Sequence, residues 1–142
     1  MTAARDVRDR YTAAFDAHDV EALLRTVNPA VVTVSPEGVT QGRDELAAYL
    51  EQFWEAFPDV RTVITETFDV GDTTFDELLM VGTHTGPYTL PDGEVISGTN
   101  RRIAVRSCYI CTVENDLVVS LRVYFDQLEL LTQLRGSTGL PH

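Results

Sequence analysis

Apolar residues along the chain follow two different periods, and the change from one to the other divides it roughly in half. From Ala3 to His18, the residues Val7, Tyr11, Ala14, Phe15 and His18 recur at the spacing of one helix face, with polar residues between them. Asp19 reads as the N-cap of a short second helix, Val20 to Val27, which Asn28-Pro29 stops. The β-branched run Ala30 to Val34 predicts a strand ending at the turn sequence Ser35-Pro36-Glu37-Gly38. Between Arg43 and Phe57 the helical period returns through Leu46, Tyr49, Leu50, Phe53, Trp54 and Phe57, and Pro58 closes the segment.

Beyond Pro58 the pattern alternates. Val60 to Val70, Thr74 to Thr85, Gly98 to Glu114 and Leu117 to Asp126 predict four long strands. Gly71-Asp72, Pro91-Asp92-Gly93 and Asn115-Asp116 mark the turns between them, and Gln127 to Leu134 predicts a short closing helix. Helices first and strands afterwards imply an α+β fold with an antiparallel sheet. A length of 142 residues fits one domain, 1–142.

Charge narrows the partners. There are 22 acidic and 11 basic residues, every basic one an arginine, for a net charge of −11. Such a surface repels phosphate backbones and anionic lipids, so nucleic acid and membrane partners are not expected. The segment Met1 to Arg10 has no apolar run, which makes a cytoplasmic location the expectation. Cys108 and Cys111 form a C-x-x-C pair inside a strand, where a separation of three points the thiols to opposite faces. They read as structural thiols, and no metal or other cofactor is expected.

Several strings resemble the SnoaL-like polyketide cyclase branch of the nuclear transport factor 2-like superfamily. They are Phe15-Asp16-Ala17-His18-Asp19 with Glu21-Ala22-Leu23, Gly42-Arg43-Asp44-Glu45, and Phe57-Pro58-Asp59-Val60. Gly82 to Gly86, Gly98 to Arg102, Arg122 to Asp126 and Leu130 to Leu134 extend the likeness over nearly the whole chain. The resemblance implies a cone, in which a curved antiparallel sheet wraps the N-terminal helices around an apolar cavity (a cystatin-like arrangement). It also implies pairing of two copies through the outer sheet face.

Asp126 shares parity with Ser120, Arg122 and Tyr124. If that face is the cavity side, a carboxylate stands beside a guanidinium and a phenol in an apolar pocket. The cyclase branch implies that this aspartate is a general base that starts an intramolecular aldol closure without metal or cofactor. A salt bridge to Arg122 or a helix N-cap for Gln127 to Leu134 is the competing structural role. His84, on the face of Leu78, Met80 and Gly82, is either a helper for Asp126 or a core histidine. Tyr11, Phe15, Phe53, Trp54, Arg122 and Tyr124 are candidate contacts for a small hydrophobic ligand, and the resemblance to ketosteroid isomerase-like relatives, which use a phenol as oxyanion donor, implies that role for Tyr11, Tyr49, Tyr109 or Tyr124.

The expected activity is therefore a cofactor-independent cyclase or isomerase acting on a hydrophobic carbonyl compound. A non-catalytic ligand-binding or dimerising protein is the alternative. The superfamily's epoxide hydrolases are a further relative, but they need an arginine and an aspartate where this chain has Gly82 and His84.

Overall fold

A computed structural model of the chain describes residues 3–136. Helix α1 (Ala3–Asp16) buries Val7, Tyr11, Ala14 and Phe15, the stripe that its periodicity predicts. It ends where His18 takes the left-handed conformation, with φ 55°. Asp19 then caps α2 (Val20–Leu24) by accepting a hydrogen bond from the Ala22 amide at 3.0 Å. The second helix is shorter than expected because strand β1 (Val27–Ser35) already begins at Val27 and runs through Asn28-Pro29. Strand β2 (Gly38–Gln41) returns antiparallel to β1 and leads into α3 (Gly42–Ala56), which buries Leu46, Leu50 and Trp54.

The alternating half forms β3 (Arg61–Val70), β4 (Thr73–Thr83), β7 (Arg102–Glu114) and β8 (Leu117–Phe125), close to the predicted strands. Between β4 and β7 a small hairpin of β5 (Tyr88–Thr89) and β6 (Val95–Ile96) folds around the Pro91-Asp92-Gly93 turn. Its root is held against the end of α3. The Thr85 and Gly86 amides both donate to the Ala56 carbonyl, and a Cβ on Gly86 would lie 2.1 Å from the Glu55 carbonyl oxygen. Helix α4 (Gln127–Arg135) closes the fold.

The main sheet has the order β2-β1-β8-β7-β4-β3. Its pairs are antiparallel except β1 with β8, which run parallel, a pairing of distant segments that local patterning does not reveal. Register breaks between Ile64 and Glu66 and between Thr112 and Val113 place bulges in the long strands, which bend them and increase their twist. One face therefore curls over the helices. On that inner face lie Leu78 and Met80 from β4, Ile103 and Val105 from β7, and Leu121 and Val123 from β8, all buried. Cys108 is half-buried opposite Tyr124, while Cys111 is buried opposite Leu121, so the two free thiols do face opposite ways.

One inward position is charged. The acids from Asp69 to Glu77 read as a solvated hairpin tip, yet Asp76 has no exposed surface and Arg8 only 1%. Parity explains the difference, since Asp76 shares the inner face of β4 with Leu78 and Met80. Asp76 accepts from Arg8 Nε at 2.9 Å and from Arg5 Nη1 at 2.7 Å, while Arg5 also reaches Asp69 at 2.6 Å. Burial works against the Arg5 charge, and the bonds to Asp69 and Asp76 more than offset it, so its pKa is raised.

Candidate active site

The curled sheet, α1, α3 and α4 enclose a chamber with about 50 Å³ of free space. Phe15, Leu50, Phe53, Met80, Val123 and Phe125 supply apolar wall. Its polar side chains are Tyr11, Ser107 and Tyr109, with Thr33, Ser35, Glu37 and Tyr49. Glu37, Tyr49 and Phe53 also line an outer vestibule of about 450 Å³, together with Gln52, Glu55, Tyr88 and Pro91. Those three residues stand between the chamber and its approach.

Glu37 is the centre of the polar network. Its carboxylate accepts one hydrogen bond from the Tyr49 hydroxyl on α3 and a second, at 2.5 Å, from the Tyr88 hydroxyl on β5. Gln127 Nε2 donates in turn to the Tyr88 oxygen at 3.4 Å. Burial pushes the Glu37 carboxyl above the usual carboxylate range, and the two phenol bonds pull only part of that back. Tyr49 and Tyr88 are pushed up as well, by burial first and then by the Glu37 charge, so both stay protonated donors. A carboxyl raised in this way, at the door of an apolar chamber, has the properties of a general base.

Tyr11 and Tyr109 share one cation. The Arg8 guanidinium lies over both rings, 5.3 and 5.0 Å from their centroids, and Asp76 holds it there. Burial pushes the Tyr11 hydroxyl to about 12, against the opposing pull of Arg8, and raises Tyr109 in the same way. Neither hydroxyl has a protein hydrogen-bond partner among the described residues, and both residues line the chamber. They can donate to a ligand oxygen.

The expected pair Asp126 and His84 lies elsewhere. Asp126 is exposed, and its Oδ1 accepts from the Leu128 amide at 2.9 Å and the Glu129 amide at 3.4 Å, so it caps α4. Parity with Arg122 and Tyr124 holds, but that face of β8 points outward, and Tyr124 is 55% exposed. Leu121, Val123 and Phe125 take the cavity side because burying the apolar set is favourable and burying the charged set is not. His84 is wholly buried just beyond β4, with Nδ1 3.0 Å from the Thr99 hydroxyl and its ring against Phe57. Burial lowers its pKa.

Of the expected contacts, Tyr11, Phe15 and Phe53 line the chamber and Arg122 and Tyr124 do not. Trp54 sits behind the wall, stacked on His18 with centroids 5.0 Å apart. Gly82 is packed at 3.2 Å from the Val60 Cα for any added Cβ, so neither position expected of an epoxide hydrolase offers an acid or a cation to the chamber. Glu37 and Tyr88 were not singled out from the sequence. Their partners are 12 and 51 residues apart from Glu37, and a glutamate in a Ser-Pro-Glu-Gly turn carries no local mark of burial. Among the described residues no group of three or more His, Cys, Asp or Glu side chains is placed to hold a metal ion. No helix among them is long and apolar enough to cross a membrane.

A curved sheet closed by helices around an internal chamber defines the nuclear transport factor 2-like, ketosteroid isomerase-like fold class. Solved structures share it at low identity. A candidate SnoaL-like polyketide cyclase from Jannaschia superposes with a TM-score of 0.83 at 17% identity, over 98% of this chain and 94% of its own. IdmH, a candidate polyketide cyclase from Streptomyces antibioticus, gives 0.79 at 19% identity, over 94% and 99%. A protein of ketosteroid isomerase-like fold from Catenulispora acidiphila, solved with trimethylamine, gives 0.75 at 17%, over 95% and 97%. The family profile of SnoaL-like polyketide cyclases matches residues 5–134, and the chain belongs to that family. No curated protein matches the sequence.

Proposed function

We propose that the protein is a cyclase or isomerase that removes a proton next to the carbonyl of a hydrophobic compound, with Glu37 as the base. The observation that carries this reading is the Glu37 carboxyl, raised by burial and held by Tyr49 and Tyr88 where chamber and vestibule meet. The carbonyl oxygen of the substrate accepts hydrogen bonds from Tyr11 and Tyr109. Glu37 takes the α-proton as the C–H electron pair moves into the enolate, and the two phenols stabilise the negative oxygen. In a cyclisation the enolate carbon then bonds to a second carbonyl carbon, and the Glu37 proton passes to the new alkoxide. These side chains supply every proton transfer without a cofactor.

Pockets for ligands of this kind measure roughly 300–1,000 Å³, several times the free space of the inner chamber. Binding therefore moves Phe53 or loosens the Glu37 tether, so that chamber and vestibule join. Exposed apolar side chains on the outer sheet face, Phe68 at 55% and Val70 at 69%, support pairing of two copies there.

The test is hydrogen–deuterium exchange at the α-carbon of 2-tetralone in D₂O, followed by NMR. The wild-type protein accelerates exchange, and Glu37→Gln lowers the catalysed rate at least about 100-fold. Exchange that is unchanged in Glu37→Gln overturns the assignment.

A further inference from the structure

Beside Glu37 a side chamber of about 90 Å³ opens between β1, β2 and α3, where Gly38 and the exposed Val39 join Thr33, Ser35, Glu37, Thr40 and Tyr49 in its lining. Three hydroxyl-bearing strand residues, Thr33, Ser35 and Thr40, stand in its wall beside the apolar Val39. Thr33 is 7% exposed, and the Thr33 and Thr40 hydroxyls are both buried with no hydrogen-bond partner among the described residues. The two residues face each other across the β1–β2 ladder. Ser35 Oγ accepts from the Glu37 amide at 3.0 Å, which leaves its own O–H free to donate.

Buried hydroxyls are rarely left unpaired, because each unmade bond costs the full desolvation of the group. Strand positions facing the interior of a sheet are ordinarily filled by apolar side chains, as Val31 is on the same face of β1. Two unpaired threonines around a space this large mark a place built for a polar guest. The guest also has a defined charge. Among the described residues no basic side chain lines the chamber, the vestibule or the side chamber, and the protein carries a net charge of −11, so an anionic group finds no counterion from them.

We propose that the side chamber is a hydroxyl subsite, and that the ligand is an uncharged hydrophobic carbonyl compound bearing a free alcohol or phenol. The ligand O–H donates to the Glu37 carboxylate or to a threonine oxygen and accepts from Thr33, Thr40 or Ser35. Thr33 also lines the main chamber, so it stands at the junction through which the hydroxyl reaches the subsite. This assignment rests on the proposed function only for the carbonyl, because recognition of the hydroxyl requires no proton transfer from carbon.

The test compares two probes of equal shape, 2-naphthol and 2-methylnaphthalene, binding to the wild type, Thr33→Val and Thr40→Val by fluorescence titration. Valine keeps the volume and the β-branch, so the strand is preserved. The ratio of the two dissociation constants shifts about tenfold towards the hydrocarbon in Thr33→Val, while 2-methylnaphthalene binds as before. A ratio that stays within about twofold of wild type in both variants overturns the subsite, and so does an equal loss of affinity for both probes. Because the readout is binding, it stands or falls separately from the exchange assay on Glu37.

Discussion

Replacing Asp76 with asparagine removes one charge from the buried cluster and almost no volume. In the native fold Asp76 has no exposed surface and pairs with two guanidinium groups, at 2.9 Å to Arg8 and 2.7 Å to Arg5. Arg5 keeps Asp69 at 2.6 Å, but Arg8, 1% exposed, pairs with no other carboxylate among the described residues. The variant leaves a buried cation without its counterion, a change that costs about 3–5 kcal/mol. That is a large share of the roughly 5–15 kcal/mol that holds a domain folded. For a chain of this size it lowers the melting temperature by roughly 10–15 °C, at about 3 °C per kcal/mol. Urea denaturation at constant slope gives the free-energy loss directly. Arg8→Met with Asp76→Leu removes both charges and so loses less stability than Asp76→Asn alone. A loss below about 1 kcal/mol in Asp76→Asn, or a double variant less stable than the single one, refutes the view that the pair is a desolvated unit beneath Tyr11 and Tyr109.

Three further outcomes follow from the same geometry. Asp126→Ala strips two amide contacts from the start of α4 and costs about 1 kcal/mol, a fall of roughly 3 °C in a thermal melt, with 2-tetralone exchange unchanged. Because burial raises the folded pKa of Glu37, the native state binds its proton more tightly than the unfolded chain does. Stability from this group is therefore full below the ordinary glutamate range, about pH 4, and is lost as the pH rises through the folded value. In urea titrations across that range, Glu37→Gln gains stability relative to wild type as pH increases. If two copies pair through the outer sheet, light scattering gives about twice 15.8 kDa for the wild type, and Phe68→Asp brings the mass down to one chain.

Local periodicity carried most of the fold. The helix stripe Val7-Tyr11-Ala14-Phe15 is the buried face of α1, and the alternating runs that contain Leu78 and Met80, and Ile103 and Val105, form strands β4 and β7. The parallel pairing of β1 with β8 joins Val32 to Ser120 and leaves no trace in either segment alone. Asp126 shows where the reading of the site failed. Its parity set was right, but the set containing Leu121, Val123 and Phe125 is the more apolar one and takes the inside. Asp76 failed in the opposite sense, since an aspartate in an acidic run looks solvated until two arginines from α1 are seen to meet it. Glu37 depends wholly on tertiary structure. Nothing near it in sequence announces that Tyr49 and Tyr88 will enclose its carboxylate.

Burial keeps the Glu37 carboxyl above its ordinary pKa at the entrance to the chamber. Titration of its side-chain carboxyl carbon by ¹³C NMR, assigned with Glu37→Gln, measures this directly. The structure predicts a midpoint clearly above the ordinary glutamate value of about 4.3. A midpoint at or below that value contradicts it.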